Sequence, residues 1–171
     1  MKIVSIVLAA CAILFTSLWS AQVEMIEHPD IPVILQELSH QGVLKQRDSD
    51  GFIYLKVSDE YLDRLFVCLT EIYGEDLVKG SSLVGAHVSV IRPSIGEPVF
   101  RNIPELNQSF EFEPLFMGTV VPDLDPKWER VWILTIHSDA LENLRISYGL
   151  NPRIGNSDNE FHITIATKLK K

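Results

Sequence analysis

Cysteine is almost missing from this chain. Only Cys11 and Cys68 occur in 171 residues, and Cys11 lies in the apolar N-terminal run, so a chain cleaved after that run forms no intrachain disulfide. Cys68 sits between Leu65 and Leu69 on a helical pattern, the setting of a buried, inert thiol rather than a nucleophile. Positive charge is scarce as well: 15 Lys and Arg stand against 23 Asp and Glu, for a formal net charge of −8. Extended nucleic-acid binding draws its affinity from Lys and Arg on phosphates, so this balance argues against long tracts and leaves a small anion in a local pocket. Low-complexity sequence is lacking, and 46% of residues are hydrophobic. The chain is therefore one globular domain, or two intimate lobes, with ample core.

Residues 1–21 read as a signal peptide: Lys2, an uncharged run from Ile3 to Trp19, then Ser20-Ala21 and polar sequence. The expected location is secreted or periplasmic, with no stable membrane association after cleavage. Two alternatives stay open. One is a retained N-terminal anchor of borderline apolar length; the other is a lipoprotein processed at Cys11, because Leu8-Ala9-Ala10-Cys11 is similar to a lipobox. Asn107-Gln108-Ser109 is a glycosylation sequon, meaningful in a host that glycosylates secreted chains.

What the chain does have is one pattern in two places. Gly85-Ala86-His87-Val88-Ser89-Val90-Ile91 and Glu160-Phe161-His162-Ile163-Thr164-Ile165-Ala166-Thr167 each set a histidine two positions before a hydroxyl. Strand side chains alternate between faces, so His87 and Ser89 share one face, and His162 and Thr164 repeat the arrangement. A three-residue pattern alone recurs by chance; its surroundings give it weight. Tyr73-Gly74 precedes His87 by the spacing at which Tyr148-Gly149 precedes His162, and each unit opens with a β-rich run, 52–57 or 131–136, leading into Ser58-Asp59 or His137-Ser138-Asp139. Strand, Ser-Asp, helix, Tyr-Gly, loop and strand are written twice.

Taken in order, Asp30 is expected to cap a helix over 31–40, with Pro32 in its first turn and Gly42 as its stop. His28 and His40, without spaced partners, are expected in solvent. Asp48-Ser49-Asp50-Gly51 turns the chain into the strand over 52–57. Ser58 starts a helix with Leu62, Leu65, Phe66, Leu69, Ile72 and Tyr73 on one face, and Gly74 ends it. The first motif strand spans about 84–91, and residues 93–108, punctuated by Pro93, Gly96, Pro98 and Pro104, form a crossover. Phe110 to Val121 predicts a strand with an edge or bulge at Pro114. The second unit supplies a strand over 131–136, a helix over 138–148, a loop over 151–159 and a strand over 161–168. His137, where strand passes to helix, reads as structural. The layout expected is a signal peptide (1–21), an N-terminal extension with a short helix (22–47) and a bilobal domain (48–171) with halves of about 50–92 and 128–169. The fold class is α+β: duplicated strand-helix-strand lobes with pseudo-twofold symmetry and antiparallel-rich sheets around a central cleft.

Two such units bring equivalent strands to one cleft and set His87 and His162 against one ligand. A neutral imidazole takes a proton from water or a ribose hydroxyl while an imidazolium protonates the leaving oxygen of a phosphodiester. Ser89 and Thr164 donate hydrogen bonds to the non-bridging oxygens as their charge grows. Arg92, at the end of the first motif strand, reaches a phosphate or faces solvent. Trp128, Tyr148 and Tyr54 are candidates for base stacking, with packing as the alternative for each. Neither a metal nor another cofactor is required.

On these motifs the chain resembles a 2H phosphoesterase, a superfamily defined by two His-x-Ser/Thr motifs in a duplicated α+β fold, over roughly residues 50–169. The resemblance implies that His87 and His162 are the acid–base pair and Ser89 and Thr164 the phosphate-binding hydroxyls. It also implies a substrate among 2′,3′-cyclic, 2′,5′-linked or related nucleotide and RNA-end phosphodiesters. The leader and the acidic balance depart from cytoplasmic RNA processing and favour a small cyclic or oligonucleotide substrate, acted on by a monomer. Three readings compete. The histidines are core residues satisfied by neighbouring hydroxyls; or they bind zinc, although third and fourth ligands at helpful spacing are missing; or the chain is a secreted, non-catalytic module that binds a nucleotide or a protein on the same fold.

Overall fold

The structure is a computed structural model that describes residues 23–74, 76–80, 83–122, 127–154 and 160–171. The leader with Cys11, and parts of the turn at 123–127 and the loop at 151–159, lie outside the described residues. In chain order the elements are β1 (Glu24–Met25), α1 (Asp30–Glu37), β2 (Gln41–Gln46), β3 (Ile53–Lys56), α2 (Glu60–Tyr73), β4 (Val78–Lys79), β5 (His87–Ile91), β6 (Ser109–Glu111), β7 (Glu113–Val120), β8 (Trp128–His137), α3 (Asp139–Ser147) and β9 (Phe161–Leu169). The described strands form one antiparallel sheet in the order β1-β7-β8-β9-β5-β3-β2-β6, with β4 pairing β9 beyond the end of β5. This order is symmetric about the β9–β5 pair, with β8 matching β3 and β7 matching β2. Each lobe is a hairpin, a helix and a strand: β2-β3-α2-β5 and β7-β8-α3-β9. The α+β class and the duplication expected from the sequence are both present.

Alternation decides which face is core. Ile53, Leu55, Val88, Leu134, Ile136 and Ile163 point to one side of the sheet and are fully buried. There α2 lays down Tyr61, Leu62, Leu65, Cys68 and Leu69, while α3 lays down Leu141 and Leu144; Ile72 and Tyr73, expected on the same face of α2, are exposed in its last turn. Both helices thus cover the same face and leave the other open. The stops are as expected: Gly74 ends α2 at φ 83° and Gly149 follows α3 at φ 72°, values that favour glycine. Ser138 caps α3, its Oγ accepting from Leu141 N–H at 3.4 Å while its hydroxyl donates to the Glu111 carbonyl at 2.6 Å. Before α2, Ser58 Oγ accepts from Glu60 N–H at 3.3 Å.

The N-terminal part departs from expectation. The helix is shorter, Asp30 lies in its first turn without a capping bond, and Pro29 holds the cap position. Gly42 does not end the helix; it lies inside β2, where a Cβ would press on the Leu55 side chain and the Lys56 carbonyl, so glycine permits β2 to lie close against β3. Residues 23–47 thereby supply β1, α1 and β2 to the common sheet. His28 and His40 are half-buried rather than in solvent. His40 Nε2 donates to the Leu35 carbonyl at 2.8 Å and its ring packs on Phe112, whereas His28 Nδ1 accepts from Asp30 N–H at 3.3 Å. The single strand expected from Phe110 to Val121 divides at Phe112, so that β6 pairs β2 at one edge of the sheet and β7 pairs β8 in the other half; the bulge expected at Pro114 lies between it and Phe116.

Candidate active site

The two motifs occupy the two central strands. Val88 of β5 pairs with Ile163 of β9, and continuing this antiparallel register by one residue each way sets His87 opposite Thr164 and Ser89 opposite His162. All four side chains are half-buried on the face that the helices leave open. Each histidine faces the hydroxyl of the other motif. The next strands outward complete the floor: Lys56 stands opposite His87 and Tyr54 opposite Ser89, while Thr135 stands opposite His162 and Ile133 opposite Thr164. Phe52 stacks on Tyr54 at 5.3 Å between centroids, and both present to the edge of His87, at 5.7 and 5.8 Å.

A β-bulge recurs at equivalent positions. Against β3, Tyr54 pairs Ser89 but Ile53 pairs Ile91, which leaves Val90 as the extra residue; against β8, Ile133 pairs Thr164 but Trp132 pairs Ala166, which leaves Ile165. A bulge reverses the alternation beyond it. Arg92 and Thr167 are thereby brought to the cleft face instead of the helix face. Each displaced carbonyl finds a donor, as buried backbone must: Gly80 N–H donates to Ile165 O at 2.7 Å, and Arg145 Nη1 donates to Val90 O. The side chain of Arg145, 1% exposed, also pairs with Glu97 at 2.6 Å and donates to the Asn151 and Arg153 carbonyls at 2.8 and 2.9 Å. The second oxygen of Glu97 accepts from Arg92 N–H at 2.6 Å.

Both imidazoles are anchored alike. His87 Nδ1 lies 2.8 Å from the Gly85 carbonyl, and a carbonyl only accepts, so Nδ1 carries the proton. The backbone at Glu160, likewise two residues upstream, bonds the ring of His162. Burial lowers the pKa of His87; the Gly85 bond opposes it, and Lys56, Arg92 and Arg47 add to it. Burial also lowers that of His162, against the Glu160 bond and with help from Arg92 and His87. Arg92 thus acts electrostatically on both rings. The approach to His87 is fixed by Asp59, whose carboxylate accepts from Lys56 Nζ at 2.5 Å and Ala86 N–H at 2.7 Å. The Lys56 bond first, then the Ala86 bond, hold the Asp59 carboxyl below the usual range. Gly85, at φ 72°, leaves no room for a side chain between Asp59 and Lys56.

Beside His87 and Thr164 opens a cavity of about 310 Å³, walled by Trp128, Val131, Thr167 and Lys79. Of the stacking candidates, Trp128 borders this cavity with Lys127 Nζ 4.6 Å from its ring centroid, and Tyr54 buttresses His87. Tyr148 is a packing residue: it meets Phe100 at 4.9 Å and its hydroxyl donates to Glu105 at 2.7 Å. Cys68 is buried under the sheet. His137 bonds Asp139 at 3.0 Å where β8 passes to α3.

Among the described residues, two groups gather possible metal-ligand atoms within 4.8 Å of one another: His28 with Asp30 and Cys68, and His137 with Glu142 and Glu160. Neither contains His87 or His162. In the second, Arg153 already pairs with both glutamates, at 3.3 and 2.7 Å. Lys56, Thr135, Asp59 and the two bulges escaped the sequence reading, since a register is not written in either strand alone.

No curated protein and no solved structure matches the chain. A family profile described as "Swiss Army Knife, 2H phosphoesterase domain" matches residues 53–171, a stretch that includes both motif strands and the cleft between them. The chain belongs to the 2H phosphoesterases, and its duplicated α+β fold is the fold of that family.

Proposed function

We propose that this cleft hydrolyses a phosphodiester of a small nucleotide, cyclic or 2′,5′-linked, or of an RNA end, with His87 and His162 as general acid and base and without a metal. The observation that supports this most is the pairing of the two motifs: the rings stand on adjacent strands about a pseudo-twofold, each held by its own backbone two residues upstream. A phosphoryl group over the β5–β9 pair has an imidazole on either side. One neutral Nε2 removes a proton from the attacking water as its oxygen bonds to phosphorus; the other ring, protonated, gives its proton to the departing ribose oxygen as the P–O bond breaks. Ser89 and Thr164 donate to the non-bridging oxygens, and Arg92 adds positive charge where negative charge grows. The acid and base exchange roles when the reaction is reversed. The cavity beside His87 takes the bulky part of the nucleotide, with Trp128 as an apolar wall. The N-terminal leader and the acidic balance support a small substrate met outside the cytoplasm.

The test is incubation of residues 22–171 with the four 2′,3′-cyclic mononucleotides and a 2′,5′-linked dinucleotide in EDTA, beside His87→Ala and His162→Ala. Turnover is expected to survive EDTA and to fall by about 10²-fold or more in each variant. Turnover that EDTA stops, or that folded variants retain, sinks the reading.

A further inference from the structure

The pseudo-twofold that equates His87 with His162 also equates their outer neighbours, Lys56 and Thr135. These flanks are chemically unlike. The Lys56 ammonium is engaged by Asp59. Thr135 is 4% exposed, and its Oγ1 has no hydrogen-bond partner among the described residues. A buried hydroxyl without a partner carries a desolvation penalty that a methyl group does not. Its neighbours along the cleft face of β8 are Ile133 and, where the strand ends, His137, which is held by Asp139, and valine suits a strand as well as threonine. No protein contact of the fold uses the hydroxyl among the described residues.

Its position gives it a use. Thr135 lies one strand outward from His162, away from the β5–β9 axis where a phosphoryl group sits between the two rings. An oxygen that exchanges its proton with His162 is then one strand away from Thr135, whose backbone pairs with that of His162. The χ1 of threonine has three staggered wells, so a turn about this bond re-aims the hydroxyl without moving the strand. We infer that Thr135 is a substrate-contacting residue whose hydroxyl hydrogen-bonds the water or ribose oxygen served by His162. This rests on the two-histidine reading. It also distinguishes the two ends of the cleft: Arg92 acts on both rings, but the His87 end adds Lys56 and the cavity, whereas the His162 end adds a neutral hydroxyl for a small oxygen group.

Thr135→Val keeps the shape and removes the hydroxyl, while Thr135→Ser keeps the hydroxyl. With 2′,3′-cyclic mononucleotides, Thr135→Val is expected to keep or raise the melting temperature and to lower kcat/KM by about tenfold, the weight of one hydrogen bond; Thr135→Ser is expected to stay near wild type. Calorimetric titration of 2′-AMP and 3′-AMP into the three proteins reads the same contact without turnover, and only Thr135→Val is expected to bind more weakly. Wild-type kcat/KM and binding in Thr135→Val, with turnover still lost in His87→Ala, overturn the contact and leave the two-histidine reading standing. No turnover by the wild type, together with equal nucleotide binding by wild type and Thr135→Val, overturns both.

Discussion

At the scale of single residues, burial governs the two histidines. It holds both below the ordinary imidazole value of about 6.5. An unfolded chain therefore takes up protons at these rings before the folded chain does, and stability falls as pH drops from about 6.5 towards the folded values. His137 works in the opposite sense. Burial pulls it down, but the Asp139 bond and the charges of Asp139, Glu160 and Glu142 outweigh that and leave it raised; its contribution is present below about 6.5 and lost as pH rises through its folded value. The melting temperature of the wild type is expected to fall between about pH 7 and pH 5, and to fall less in His162→Gln, which lacks the group that titrates. An equal fall in both proteins counts against the assignment. The same lowering shapes catalysis: one ring must be protonated, so kcat/KM is expected to peak below about pH 6.5. A maximum above pH 8 contradicts the proposed mechanism. The pattern His-x-Ser/Thr was legible because it lies within one strand. Lys56 and Thr135 were not, since their place beside the histidines depends on cross-strand register.

At the scale of elements, the duplicated bulge does most to shape the cleft. Without the extra residue Val90, alternation would send Arg92 to the helix face. The bulge frees the Val90 carbonyl, and the buried guanidinium of Arg145, carried by α3 of the other lobe, takes it up together with Glu97 and two loop carbonyls. Removing one partner of a buried ion pair leaves the other uncompensated, so Arg145→Met is expected to destabilise the fold by about 3–5 kcal/mol. Urea unfolding measures it, and a loss below about 1 kcal/mol would show that Arg145 does not secure the junction. The helix and strand order of each unit was readable from apolar spacing and from the Tyr-Gly stops. β2 was not, because Gly42 resembles a helix stop in sequence and becomes a close-approach glycine only when β3 lies against it.

At the scale of the whole molecule, charge sets the limit. The chain carries a net −8, and its cleft cations are few: Lys56 and Arg92 on the floor, Lys79 at the cavity. Such a surface neutralises one or two phosphates but follows no long backbone. Turnover of cyclic mononucleotides is therefore expected without measurable binding of a long single-stranded RNA at physiological salt, as read by fluorescence anisotropy. Tight RNA binding that weakens steeply with added salt would reveal a basic track that this charge distribution does not provide. Among the described residues no helix is long and apolar enough to cross a membrane. The sequence by itself determined the two motifs, the duplicated unit around them, the middle of the buried face of each long helix and the family, because each is carried by spacing along a single segment; it did not determine that Ile72 and Tyr73 lie exposed. Only the tertiary structure decided that each histidine faces the other motif's hydroxyl, that the bulges bring Arg92 and Thr167 into the cleft, and that Lys56 and Thr135 flank the two rings. Those are relations between strands far apart in the chain, fixed by hydrogen-bond register and by the packing of both helices on one face.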